Sequence, residues 1–145
     1  MMSCAAFAEK LELAAYRAKA GLSIPTERVM YMAEAQAREV IGTYRFGWTP
    51  LAESTMDDRE RKGYSRDDPL LRTGELAASI AHATARFGGG AQGLVYSDDK
   101  VALYQEMGTE TIPARSFLYR SVIYVIPDMR KIFGDFAVAI LTTGV

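Results

Sequence analysis

Five carboxylates fall within one short stretch: Asp57, Asp58, Glu60, Asp67 and Asp68. Two or three oxygens held rigidly would bind Mg²⁺, and a small nuclease works that way. Arg59, Arg61, Lys62 and Arg66 are interleaved with these acids, so mutual neutralisation on a solvated segment is the simpler reading. A metal-dependent nuclease using Asp57, Asp58 or Asp67 stays as the alternative from a different functional class. His82, the single histidine, lies in a strand pattern with no acid or serine beside it in sequence. It reads as a strand histidine at the sheet surface rather than a general base. Cys4 has no flanking base, and one Cys with one His cannot supply a structural zinc site or an internal disulfide. No cofactor and no metal is expected.

Gly88-Gly89-Gly90-Ala91-Gln92-Gly93 satisfies the dinucleotide pattern G-x-G-x-x-G letter by letter. That chemistry needs a helix N-terminus immediately afterwards, to hold pyrophosphate on free amides. Leu94-Val95-Tyr96 are strand formers, so the glycines read as a hairpin tip.

The elements that must position these groups follow from periodicity. Residues 5–20 read as a helix with a weak apolar face (Phe7, Leu11, Ala14, Ala15, Ala18) ended by Gly21. A second helix restarts at Ser23-Ile24-Pro25-Thr26-Glu27 and runs to about Ile41, with Gly42 as its stop. The short turn between the two predicts an antiparallel helical hairpin. Gly47-Trp48-Thr49-Pro50-Leu51 reads as a turn that pins an aromatic. Residues 52–68 read as an exposed, mobile charged excursion with one short helix.

Thr73 is placed to cap a short helix through Leu76. Residues 79–87 and 94–96 form a strand pair around the glycine tip. Val101 to Met107 is a short helix ended by Gly108, and Pro113 to Tyr119 predicts a third strand entering the last helix. There Met129, Ile132, Phe133, Phe136, Ala137, Ile140 and Leu141 recur at helical spacing. The expected architecture is α+β: one domain over 1–145, a small antiparallel sheet packed against N-terminal helices and a C-terminal amphipathic helix.

Composition narrows the function classes. Seventeen basic and 18 acidic residues give a net charge of −1, with no basic stripe for sequence-specific nucleic-acid reading. No uncharged run approaches the ~18 residues of a membrane span, so no membrane partner is expected. The start, Met1 to Ala8, lacks a basic region and is cut off by Glu9 and Lys10, which predicts no export signal.

Two blocks remain, rich in residues that fix backbone shape rather than react. Trp48-Thr49-Pro50-Leu51 is followed by Pro69-Leu70-Leu71-Arg72-Thr73-Gly74-Glu75-Leu76 with Ser79-Ile80. Tyr104 to Gly108-Thr109 then leads into Pro113-Ala114-Arg115-Ser116-Phe117-Leu118. In this order the motifs resemble the tail-completion (virion morphogenesis, head–tail joining) proteins of tailed bacteriophages and of gene transfer agents. The resemblance covers residues 48–118. It departs at Ser116, where the family commonly has proline, and at Met107, where it commonly has phenylalanine.

The resemblance implies a non-enzymatic structural protein of the virion neck, present in the host cytoplasm during assembly. Its partners would be copies of itself in a ring, a hexamer, then the head connector or stopper and the tail tube, with genomic DNA passing through the lumen. Arg72, Thr73, Gly74, Glu75, Gly108, Thr109, Pro113, Arg115, Phe117 and Leu118 are then the candidate interface residues. For Arg72 and Arg115 a structural salt bridge or carbonyl clamp competes with a subunit contact. The charged excursion becomes a candidate arm that orders on assembly. A third reading is a soluble adaptor with no place in a particle.

Overall fold

A computed structural model describes residues 3–143. In chain order they form α1 (Cys4–Gly21), α2 (Ser23–Val40), α3 (Glu53–Arg61), α4 (Glu75–Ser79), β1 (Ile80–Phe87), β2 (Gly90–Ser97), α5 (Lys100–Met107), α6 (Leu118–Tyr124) and α7 (Ile126–Thr143). The α+β expectation holds, with helix far outweighing strand. Met1 and Met2 of the signal-like start lie outside the described residues. Among the described residues no helix is long and apolar enough to cross a membrane.

Ser3 caps α1 by accepting the Ala6 amide at 3.2 Å. The expected antiparallel hairpin of α1 and α2 does not form. Leu22 between them keeps right-handed helical angles (φ −57, ψ −25), and its carbonyl accepts both the amide and the hydroxyl of Thr26. Pro25, which has no amide proton to give Gly21, interrupts the ladder without reversing the chain. Helix α1 therefore continues past α2 and leans on α7, where a Cβ on Gly21 would meet Phe136 at 2.9 Å.

Helix α2 is the axis of the fold. Val29, Ala33, Ala37 and Val40 recur along it at helical spacing, and all four are buried. Val29 and Ala33 pack with Val125 and with Met129, Ile132 and Phe133 of α7. Ala37 and Val40 enter a second cluster with Ile41, Trp48, Leu76, Ile80, Ala102 and Phe117. Of the apolar series expected along α7, Ala137 and Leu141 end exposed.

The sheet is the single antiparallel pair β1–β2, in register from Ile80↔Ser97 to Phe87↔Gly90. Gly88 and Gly89 form its two-residue turn with φ of +50° and +83°, a conformation that glycine supplies without steric cost. Gly93 has a different job. A Cβ there would lie 2.3 Å from Met30 Cγ and 2.5 Å from its sulfur, so its bare backbone lets α2 seat directly on β2.

The third strand expected at Pro113–Tyr119 is absent among the described residues. Residues 113–117 are irregular, and α6 begins at Leu118. The amides of Phe117, Leu118 and Tyr119 go to the Glu106 carboxylate instead of a neighbouring strand.

Candidate functional site

The two motif blocks, far apart in sequence, face each other across a cleft of about 760 Å³. Arg72, Thr73, Gly74 and Glu75 form one wall, and Pro113 and Arg115 form part of the other. Gly108, Thr109, Phe117 and Leu118 do not line it.

The first wall is a turn in an unusual backbone state. Leu70 carries a positive φ of 66°, a region that costs a branched residue about 1 kcal/mol or more. Neighbouring bonds hold it there: the Pro69 carbonyl accepts the Gly42 amide at 2.7 Å, and the Leu71 amide reaches Asp68 O at 3.2 Å. Gly74 then takes φ +88° as the N-cap of α4. Thr73, expected as the cap, sits one residue earlier, where its hydroxyl donates to Glu75 Oε2 at 2.9 Å. The Arg72 guanidinium lies 4.8 Å from the centre of the Tyr64 ring, a cation–π contact on an exposed rim.

Beneath this turn lies Arg59, a residue that the sequence hides in a run of charges. It is 7% exposed. Its Nε donates to Ser65 O at 2.8 Å, and its Nη2 donates to Asp68 O at 3.1 Å and to Leu71 O. A planar guanidinium with several fixed donors suits three convergent carbonyls. The excursion 52–68 is exposed and holds one short helix, as expected. It is not a loose arm, because Arg59 and Tyr44, whose hydroxyl donates to Asp67 at 2.5 Å, fasten it to the body.

The second wall is set by Gly108, which ends α5 with φ +75° and donates its amide to Tyr104 O at 2.9 Å. A Cβ there would stand 2.9 Å from the Ala114 amide nitrogen, so the chain closes back on itself only through glycine. The Thr109 hydroxyl accepts the amides of Thr111 and Ile112 and shapes the loop. Arg115 is 5% exposed. Its amide donates to Gln105 O at 2.6 Å, and its Nη2 donates to Thr49 O at 3.1 Å. Of the two roles weighed for Arg115, the carbonyl clamp is the one its geometry fills.

Phe117 is wholly buried among Ala37, Val40, Trp48 and Ile80, and Leu118 packs against that cluster. Phe117 and the buried Arg115 are corrected from interface candidates to internal supports, because neither offers surface to a neighbour. Arg72, Thr73, Glu75, Thr109 and Pro113 remain exposed.

Glu106 is the most heavily used side chain in this region, and sequence reasoning missed it. Its carboxylate accepts the Ser116 hydroxyl at 2.6 Å and the amides of Phe117, Leu118 and Tyr119 at 2.8, 3.0 and 3.1 Å. A carboxylate at a helix N-terminus satisfies orphan amides and complements the dipole. The usual capping signature lies three residues from the cap, whereas Glu106 reaches across a loop. No local pattern could flag it.

The candidate catalytic groups fare differently. Asp57 pairs with Arg66 at 2.9 Å, and Asp58 pairs with Lys62 at 2.8 Å, which holds its carboxyl below the ordinary carboxylate range. Among the described residues no three or more His, Cys, Asp or Glu side chains converge as a metal-holding group.

His82 is less solitary than its sequence context implied. Two carboxylates from α2 grip it, Glu34 at Nδ1 and Glu27 at Nε2, the latter 3.0 Å away. Both ring nitrogens face acceptors, an arrangement that favours the imidazolium, and the His82 pKa is raised chiefly by Glu34. Glu27 also accepts the Thr84 hydroxyl at 2.5 Å, the main reason its own pKa is lowered. With both nitrogens occupied, His82 has no free site to act as a base. It staples α2 to β1.

Comparison with protein-family models, with curated proteins and with solved structures finds no match for this chain.

Proposed function

We propose that this chain is a structural protein of a virion neck. Copies of it close into a sixfold ring at the head-proximal end of the tail, between the tail tube and the head connector, with DNA passing through the lumen. The reading starts from the motif resemblance over residues 48–118. The observation that carries it further is how the charged groups of those motifs are used. Arg115 and Glu106, with Arg59 from the excursion between Leu51 and Pro69, spend their charge on backbone carbonyls and amides.

Two further features support this reading. Large apolar side chains stand at the surface, among them Met107 at 73% exposure and Tyr119 at 67%, and such surface is commonly covered in an assembly. A net charge of −1 also suits a conduit, since a dense basic lining would retain phosphate and slow transit.

The test is genetic and visual. The coding sequence is disrupted in a strain that produces particles, and the lysate is imaged. Filled heads and separate tails should accumulate, and a wild-type copy supplied in trans should restore joining. Normally joined particles in the disrupted strain would refute the assignment.

A further inference from the structure

The hairpin carries its polarity inside out. Toward α2, β1 turns Ile80, His82, Thr84 and Arg86, and the last three bond to Glu34, Glu27 and Ser23. The opposite face of β1 is Ala81, Ala83, Ala85 and Phe87, by the strict alternation of a strand. On β2 the same outer face carries Gln92, Leu94 and Tyr96. None of these residues is charged. Phe87, Leu94 and Tyr96 are 60%, 56% and 42% exposed.

A hairpin with one solvated face ordinarily puts its polar residues outward, and a two-stranded sheet alone is marginal in water. Here the polar side is spent on the chain's own helix and the apolar side is bare. The sequence alone could not separate these faces, because alanine and threonine alternate too mildly to say which side meets a helix.

The relief of the bare face indicates what covers it. Tyr96 stands opposite Ala81, Leu94 opposite Ala83 and Gln92 opposite Ala85, so along these three pairs β2 is a ridge and β1 a groove; at the tip the relief reverses, with Phe87 opposite Gly90. A copy turned by a two-fold axis lays ridge into groove twice, at the spacing of about 10 Å between packed sheets. An uncharged face meets itself without like-charge repulsion, and it offers nothing for a polyanion or an acidic peptide to recognise. The uncharged face ends at Phe87, where the hairpin tip shares a groove with Tyr16, Lys19 and Ala20 of α1.

We infer that this face stacks on the same face of a second copy of the chain, forming a reversible two-fold dimer. The contact does not rest on the neck assignment, because a ring closes through two unlike faces and this one uses a single face twice. Strands of eight residues span about 27 Å. Two such strands cover a few hundred Å² per copy, less than the roughly 800 Å² per partner of a stable complex. The dimer is therefore weak and concentration-dependent.

Sedimentation velocity of the full chain, from about 10 µM to about 1 mM, reads this directly. The sedimentation coefficient should climb from monomer toward dimer across that range. Leu94→Lys and Ala83→Glu should each remain monomeric, with unchanged circular dichroism and melting temperature, because both side chains are exposed. Mixing the two variants should bring the dimer back, since the new lysine of one copy faces the new glutamate of the other. Tyr96→Arg serves as an independent disruption if either variant misfolds. A wild type that stays monomeric at about 1 mM would overturn the inference. So would association that survives these substitutions, or a mixture that fails to recombine.

Discussion

The cleft region and the α2–hairpin layer both turn charged side chains inward, but they do so by opposite chemistry. Around the cleft, Arg59 and Arg115 are buried and spend their donors on carbonyl oxygens. Between α2 and β1, the His82 ring sits between two carboxylates, with Arg38 bonded to Glu34 at 2.7 Å and to the Ile80 carbonyl. The first arrangement rests on a planar fork of donors aimed at fixed carbonyls. The second depends on His82, whose pKa is raised from the ordinary 6.5 chiefly by Glu34. One region is a fixed brace and the other is a titratable joint.

Removing the brace should have the largest effect. Arg59→Ala strands the carbonyls of Ser65, Asp68 and Leu71 and should cost about 3 kcal/mol in chemical denaturation. Arg59→Lys should recover little of this, since an ammonium cannot match the fork. A loss below about 0.5 kcal/mol would mean that the excursion holds itself in place without the brace. Glu106→Gln comes next, at about 1–2 kcal/mol, since it keeps one acceptor oxygen but gives up the charge at the N-terminus of α6.

The joint yields a pH signature instead. The ordinary value for His82 is 6.5, and the bond to Glu34 raises it against the opposing effect of burial, with Glu27 adding to the rise. A raised folded-state value means that the contribution is complete below 6.5 and disappears as pH climbs through the higher value. Glu27 runs the other way: its value is lowered from 4.5, so its share is present above 4.5 and lost as pH falls through the lower value. The melting temperature should therefore fall as pH climbs above 6.5 in the wild type, and less steeply in His82→Gln. Equal slopes would show that the staple carries no stability.

The smallest effect should come from Arg66→Ala. Arg66 bonds to Glu53, Asp57 and Glu60, all on the solvated side of α3. Exposed pairs of this kind contribute little, so no change in melting temperature should be resolved. A clear drop would move α3 from ornament to brace.

The same contrast explains what could be read from the chain. The helical period of Val29, Ala33, Ala37 and Val40, the Gly47–Trp48 turn, the glycine-tipped hairpin and the stripe along α7 are local patterns, and each appears in the structure. The joint at Leu22 was not legible, because glycine followed by serine and proline signals a stop equally well for a kink and for a reversal. The third strand was misread because Pro113 to Tyr119 has strand composition, while the group that claims its amides, Glu106, is distant in sequence. Arg59 and the partners of His82 escaped for the same reason. Their roles exist only after α3 and α2 have docked. At the cleft, the convergence of the two blocks was anticipated only as shape-fixing, and Phe117 and Arg115 proved to face inward.

The central claim, that the chain is a stoichiometric part of a particle, is tested most directly by quantitative mass spectrometry of purified particles against a labelled standard. The account predicts about six copies per particle, a closed cyclic assembly, co-purifying with heads and tails. Particles that join normally and contain none of this chain would contradict it.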